Sequence, residues 1–346
     1  MTNDTLRVAV LGPGGVGGLL AALLSRAGHR VTCLAGEETA AALRTDGIRV
    51  HSTQFGDFTA RVDADTELRV PVDAVLIAVK HTALDAALTR IPAPALGDDT
   101  LLVPFLNGVE HPDVLRALHR PDRVAPAVIR VESTRVARGV IEHASPFTEI
   151  DLAGDAVPRP RLDALSRTLT AAGPTVRVLP DETAALWAKM AFLAPFALLT
   201  TRYGLPLGEV RTRHREELIA LVEESAAVSG VCGAPADPAQ ALALPHSRLR
   251  SSGGTPIDAF APTTKSSMQR DAEADRPLEL DAIGGALLRA AERHGIPAPV
   301  TTRLVRELAA ATRWAASCRC SAGRRTSRWT GSGSPSGTRG RSARAG

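Results

Sequence analysis

LRVAVLGPGGVGG, residues Leu6 to Gly18, decides the reading of this chain. Leu6 to Leu11 is a short apolar run of strand character, Gly12 to Gly18 is a glycine turn, and LLAALLSRAG (19 to 28) is an alanine- and leucine-rich helix. Strand, turn and helix in that order are the context a G-x-G-x-x-G fingerprint requires. Gly12 makes the tight turn, Gly14 lets the backbone approach a pyrophosphate, and Gly17 lets the helix pack closely on the strand. The unpaired N–H groups of the helix start then face the phosphates, so that Gly12, Pro13, Gly14, Gly15, Val16 and Gly17 form the expected cofactor-binding stretch.

Outward from this unit the first half alternates strand and helix. HRVTCLA (29 to 35) reads as a second strand and Glu37 to Thr45 as a short helix. Ile48 to Val50 and Phe58 to Val62 form a small hairpin, Asp73 to Val79 a buried strand, Thr82 to Arg90 a helix and Asp99 to Phe105 another strand. Such alternation predicts a parallel sheet covered on both faces, with ligands at the carboxyl ends of its strands. From Val124 to Leu152 the pattern is strand-like, with a turn near Arg138-Gly139. Pro158 to Pro160 reads as a linker, Arg161 to Ala172 as a helix and Val176 to Leu179 as a last strand, with a domain boundary near Pro180.

Beyond Pro180 the signals are helical. Asp181 is an N-cap for a long helix that Gly204 stops and Pro195 should kink. Further helices are predicted over about Val210 to Ser229, Ala239 to Leu244, Ser266 to Ala274, Leu280 to His294 and Val300 to Trp314. Residues 315 to 346 are rich in Arg, Ser and Gly and read as a disordered tail. The abrupt change of composition there resembles a GC-rich gene read out of frame, which the coding DNA near codon 315 would show.

Length and composition set the function classes. A chain of 346 residues with 44% hydrophobic content is long enough for two domains with separate cores. No apolar run is expected to reach the length of a membrane span, and no signal peptide is expected ahead of the first strand. The four cysteines, Cys33, Cys232, Cys318 and Cys320, are too scattered for a disulfide framework, so a reducing, cytoplasmic setting is expected, without a metal site. The formal charge of +4 comes from the tail: residues 319 to 346 hold seven arginines and no acid, and without them 34 basic residues face 37 acidic ones, a net of −3. A nucleic-acid partner is therefore not expected.

Two polar features fall at the predicted ligand edge of the sheet. Lys80 follows the strand DAVLIAV, and Asn107-Gly108 follows LLVPFL. Asn-Gly is an ordinary turn dipeptide and a lysine after a strand is often solvated, so the shared location is what favours function. Only three of the 41 basic residues are lysines, Lys80, Lys189 and Lys265. A lysine kept in so arginine-rich a chain marks a place where a compact, titratable ammonium is wanted.

The motifs GPGGVGG (12 to 18), AVKH (78 to 81), LNG (106 to 108), LWAK (186 to 189) and SSMQRDAEADRPLELDAIGG (266 to 285) together resemble the ketopantoate reductase (2-dehydropantoate 2-reductase) family over about residues 6 to 312. The resemblance implies an α/β fold: a Rossmann-type dinucleotide-binding domain (1 to 180) followed by an all-helical substrate domain (181 to 314), with cofactor and substrate in the cleft between them. It implies a catalytic lysine at Lys189 and a carboxylate near the reaction centre at Glu279. Asn107 would contact cofactor and substrate, Lys80 the cofactor edge, and Ser267 the substrate. The implied reaction is hydride transfer from NADPH to the ketone of a small-molecule 2-keto acid, 2-dehydropantoate first. In that chemistry Lys189 polarises and protonates the ketone oxygen while Glu279 holds its ammonium. A homodimer is left open.

Two departures qualify the resemblance. Asparagines that the family carries four and eight residues after the catalytic lysine are Leu193 and Ala197 here, which points to a bulkier or less polar keto substrate as the alternative. Where the family carries an arginine for the 2′-phosphate, this chain has Gly36, followed by Glu37 and Glu38. That tilts the local chemistry towards NAD(H), although Arg26, Arg30 or Arg44 could substitute and NADP(H) stays the first expectation. Related hydroxyacid and glycerol-phosphate dehydrogenases lack the SSMxxD segment. A non-catalytic NAD(P)-binding sensor is the alternative from another class.

Overall fold

The computed structural model describes residues 5–235 and 261–326, the stretch 313–326 by its backbone alone. The elements run β1 (Arg7–Leu11), α1 (Gly15–Arg26), β2 (Arg30–Leu34), α2 (Glu37–Asp46), β3 (Ile48–Ser52), β4 (Phe58–Ala60), β5 (Asp63–Asp65) and β6 (Ala74–Ile77). They continue with α3 (Leu84–Leu88), β7 (Leu101–Pro104), α4 (His111–Leu118), β8 (Ala127–Arg130), β9 (Ser133–Ala137), β10 (Val140–His143), β11 (Glu149–Leu152), α5 (Arg159–Ala171) and β12 (Thr175–Val178). The helical part consists of α6 (Glu182–Tyr203), α7 (Leu207–Arg213), α8 (Arg215–Val231), α9 (Ser267–Glu273), α10 (Ala286–His294) and α11 (Pro299–Thr326).

The main sheet has the order β5-β2-β1-β6-β7 and is parallel throughout. Its strands β1, β6 and β7 are almost wholly buried, as strands covered on both faces must be. The leucines of α1 pack on one face, and Leu84, Ala87 and Leu115 pack on the other. The chain moves from β1 to β2 on one side and to β6 and β7 on the other, so strand order reverses between β1 and β6. The carboxyl ends of these two strands, at Gly12 and Lys80, therefore flank the crevice where such sheets bind ligands. Edge strand β5, with the polar sequence Asp63-Ala64-Asp65, gave no apolar signal and was not expected.

Two smaller sheets complete the first half. One has the order β4-β3-β10-β9, the β3–β4 pair being the expected hairpin, and the other the order β12-β11-β8. The first lies over the glycine turn: Ser133 Oγ donates to the Gly15 carbonyl at 2.8 Å, and a Cβ on Gly15 would come within 2.3 Å of the Ser133 carbonyl.

Several expectations are corrected. Helix α5 begins at Arg159 and includes Pro160 in its first turn, where proline's missing N–H costs nothing, so 158 to 160 is not a linker. The helix expected over 210 to 229 is two helices, broken at His214, whose φ is −128°. The segment after Glu279 opens with a π-helical turn, Asp281–Gly285, before α10. The backbone helix of α11 continues to Thr326, past the expected end at Trp314. The helix expected over 239 to 244 lies outside the described residues.

Helix α6 organises the second half. The Asp181 side chain accepts from the Ala184 N–H at 2.8 Å, and Gly204 ends the helix at φ +64°. It runs through Pro195 as one element of 22 residues. By length and composition alone it is apolar enough to cross a membrane, contrary to the expectation that no run is; 72% of that window is buried inside the protein. Its apolar side chains form a core with those of α7, α8, α9, α10 and α11, including Leu193, Leu198, Leu221, Met268, Leu287 and Leu304.

Candidate active site

The glycine turn has the shape a pyrophosphate needs. Gly12 adopts φ +86°, and its N–H donates to the Leu34 carbonyl at 3.1 Å, tying the turn to the end of β2. The first helical bond of α1 runs from Gly18 N–H to the Gly14 carbonyl at 2.8 Å. The N–H groups of Gly15, Val16 and Gly17 are thus the free donors of the helix start. A Cβ at Gly17 would lie 2.3 Å from the Gly12 carbonyl, whereas a Cβ at Gly14 would meet nothing nearer than 4.0 Å. Gly17 is therefore needed for packing. Gly14 borders open space that a phosphate can fill, so the residues present fit a dinucleotide.

Four of the residues singled out in the sequence converge beside this turn. Glu279, only 2% exposed, is their centre. Its Oε1 accepts the His81 N–H at 2.9 Å, and its Oε2 accepts from Asn107 Nδ2 at 3.1 Å and from Lys80 Nζ at 3.4 Å. The Asn107 Oδ1 in turn accepts from Lys189 Nζ at 3.0 Å. The expected direct contact between Glu279 and Lys189 is thereby corrected: the Asn107 amide stands between them, accepting from the ammonium and donating to the carboxylate. A close approach of backbones brings Asn107 there. Gly108 has φ +93°, and a Cβ on it would come within 2.6 Å of the Ala282 carbonyl in the π-turn. π-turns of this kind occur often at functional sites because they re-aim the side chains beside them.

Lys80 also pairs with Asp271, a buried carboxylate on α9, at 2.9 Å. The sequence did not single out Asp271; its only signal was its place in the SSMQRD segment. The other oxygen of Asp271 receives Arg276 Nε at 3.0 Å. Ser267 stands one helical turn before Asp271 and so on the same face of α9. Its neighbour Ser266 does the structural work, accepting from the Gln269 N–H at 3.0 Å and from Thr200 Oγ1 at 2.8 Å. The Ser267 hydroxyl, half-buried, has no partner among the described residues and is free to meet a ligand.

Electrostatics single out Lys189. Burial, with the charge of Arg130 adding to it, lowers its ammonium to about 8 against an ordinary 10.5, while Glu279 opposes the shift. Such a group stays charged at neutral pH and gives up its proton readily. Close by, His111 opens α4 fully buried, with neither ring nitrogen partnered among the described residues. Desolvation first, then the charges of Lys189, His81 and Arg116, push it down to about 3, so it is neutral at pH 7. Nothing in the sequence distinguished this histidine.

A second junction fixes the start of α6. Both terminal nitrogens of Arg116 on α4 reach the Glu182 carboxylate, one of them at 2.7 Å. The Asp155 N–H donates to Glu182 at 3.0 Å, and the Glu182 N–H donates to Asp155 Oδ1 at 3.1 Å. Leu193 and Ala197, four and eight residues beyond Lys189, are 9% and 1% exposed and belong to the helical core. They offer no hydrogen-bonding group on the face of α6 that carries the ammonium.

Comparison with known proteins agrees with this architecture. Residues 8–153 match the family model described as ketopantoate reductase PanE/ApbA, and residues 181–312 match the one described as ketopantoate reductase PanE/ApbA C terminal. A 2-dehydropantoate 2-reductase from Mycobacterium tuberculosis is 30% identical over 88% of this chain and 97% of its own length. An uncharacterized oxidoreductase, YkpB, from Bacillus subtilis is 29% identical over 85% and 95%. The crystal structure of 2-dehydropantoate 2-reductase from Geobacter metallireducens superposes with a TM-score of 0.78 at 27% identity, covering 89% of this chain and all of that one. D-mandelate dehydrogenase in complex with NADH and anilino(oxo)acetate shares the fold, with a TM-score of 0.76 at 17% identity. With both halves matched in order, the chain belongs to the ketopantoate reductase family of oxidoreductases.

Proposed function

We propose that this chain reduces the ketone of a 2-keto acid to a 2-hydroxy acid, 2-dehydropantoate to pantoate in the first instance, using a reduced nicotinamide dinucleotide. The observation that carries the reading is a single chain of contacts: Lys189 to Asn107 to Glu279, across the cleft beside the glycine turn. Gly12, Pro13, Gly14, Gly15, Val16 and Gly17 would hold the pyrophosphate of a reduced nicotinamide dinucleotide, which when bound would supply the hydride for the ketone carbon. The Lys189 ammonium hydrogen-bonds the ketone oxygen, stabilises the negative charge that develops there and donates the proton that completes the alcohol. Asn107 fixes the direction of that ammonium. Glu279 fixes Asn107 and, with Asp271, anchors Lys80 at the cofactor edge. Ser267 offers a hydroxyl to the substrate.

Leu193 and Ala197 favour a second substrate class. Without amides at those positions, a substrate hydroxyl gains no partner there, and a less polar 2-keto acid loses nothing. The experiment is a panel of 2-keto acids, graded from ketopantoate to branched and aromatic side chains, followed through oxidation of the reduced cofactor. Turnover of ketopantoate with the highest kcat/KM supports the first substrate, and a preference for apolar side chains supports the second. Cofactor binding with no turnover of any member would refute the reductase and favour a sensor.

A further inference from the structure

We infer that Glu37, at the carboxyl end of β2, accepts the adenosine ribose 2′-hydroxyl and makes this chain select NAD(H) over NADP(H). The inference rests on the dinucleotide reading of the glycine turn and reverses the preference that the family resemblance implies. The end of β2 is joined to that turn through the bond from Gly12 N–H to the Leu34 carbonyl. A dinucleotide with its pyrophosphate on Gly14 and the start of α1 extends its adenosine ribose to the end of this neighbouring strand. There the chain leaves room, since a Cβ on Gly36 would meet nothing within 4 Å.

The groups around that space suit a hydroxyl and oppose a phosphate. Glu37 and Glu38 occupy the first turn of α2, where their carboxylates already complement the positive end of the helix. Arg44 Nη2 donates to Glu37 Oε1 at 2.9 Å, which orients the carboxylate and leaves Oε2 without a partner among the described residues. A ribose hydroxyl can donate to that oxygen. A 2′-phosphate brings a charge of about −1.5 to −2 and no donor.

The guanidinium groups that could compensate are committed or misplaced. Arg44 is shared between Glu37 and the Ala64 carbonyl at 3.0 Å, Arg138 pairs with Glu38, and Arg69 pairs with Asp65 at 2.8 Å. Arg26 lies 4.1 Å over the Phe58 ring in the last turn of α1, and Arg30 begins β2, so both sit at the opposite end of the sheet. Arg90 faces no carboxylate among the described residues, but its Nη1 donates to the Ala35 and Thr66 carbonyls at 3.0 and 2.7 Å.

Titration of the full-length protein with NADH and NADPH, without keto substrate and read by nicotinamide fluorescence, tests this directly. NADH is expected to bind about tenfold or more tightly than NADPH, because like charges brought together at a binding surface are strongly disfavoured. Glu37→Gln should narrow the ratio and Glu37→Arg should reverse it. The Glu37 side chain is 71% exposed, so neither variant should disturb folding, and thermal unfolding checks this. NADPH binding as tightly as NADH in the wild type, or a ratio unmoved in both variants, would overturn the inference. NADPH binding that disappears in Arg90→Met would assign the phosphate to Arg90 instead. Binding of neither cofactor would defeat the dinucleotide reading itself.

Discussion

Replacing Lys189 with methionine should make the protein more stable and nearly inactive at the same time. The ammonium titrates at about 8 in the folded protein against an ordinary 10.5, and 2.5 units correspond to about 3 kcal/mol. The sign follows from proton binding. Between pH 8 and 10.5 the unfolded chain holds the proton and the folded chain has lost it, so stability rises with pH across that window. Below pH 8 the folded state carries the whole penalty of a charged, desolvated group. Methionine has a similar shape and no charge. At pH 7 Lys189→Met therefore removes that penalty, less about 1 kcal/mol for the Asn107 oxygen left without its donor. Water in the cleft trims the gain further, to a net of about 2 kcal/mol. Urea unfolding of wild type and variant from pH 7 to 11 should show this advantage at neutral pH and its disappearance as pH passes 10.5. In the same preparations keto-acid reduction should fall by about 10² to 10⁴, the usual contribution of a general acid. Wild-type kcat/KM should decline above pH 8 as the ammonium deprotonates. A variant that is no more stable at pH 7, or that keeps activity within tenfold of wild type, would refute the assignment.

Other perturbations separate packing from binding. Gly14→Ala should fold as the wild type does, yet weaken reduced-cofactor binding in fluorescence titration, since its methyl enters open space in the phosphate cradle. Gly17→Ala should instead lower the unfolding midpoint, because its methyl would meet the Gly12 carbonyl at 2.3 Å. Glu182→Ala leaves the Arg116 guanidinium without its buried carboxylate and should cost about 3 to 5 kcal/mol in denaturant unfolding. His111→Leu removes two unpartnered buried nitrogens and should raise stability by about 1 to 3 kcal/mol at pH 7. The lowered pKa of His111 makes wild-type stability fall as pH drops from 6.5 towards about 3, and the leucine variant should show a flatter acid limb in a thermal-shift series.

The fold was legible where one local rule sufficed. The glycine turn is set by local backbone conformation, the buried parallel strands by continuous apolar runs, and the start and stop of α6 by Asp181 and Gly204. Local rules failed where long-range pairing decided the outcome. Asp63 to Asp65 becomes a strand because β2 offers it an edge, and His214 divides a segment whose apolar pattern alone reads as one helix. The site was legible by type: Lys80, Asn107, Lys189 and Glu279 do meet. Their connectivity was not, because the place of Asn107 between Lys189 and Glu279 depends on how closely Gly108 approaches Ala282. His111 and Asp271 escaped notice because burial, which makes them unusual, is a property of the assembled protein.

The clamp of Arg116, Asp155 and Glu182 at the start of α6 sets a short lever for the reacting group. Lys189 lies seven residues along the helix, about 10 Å from that fixed end. A rotation of the helical half by about 10° around the clamp would displace the helix at Lys189 by less than about 2 Å. Because the clamp lies so near, such a rotation would leave the Lys189 ammonium, the proposed proton donor, within about 2 Å of its place, while parts of the helical half farther from the clamp would swing through a longer arc.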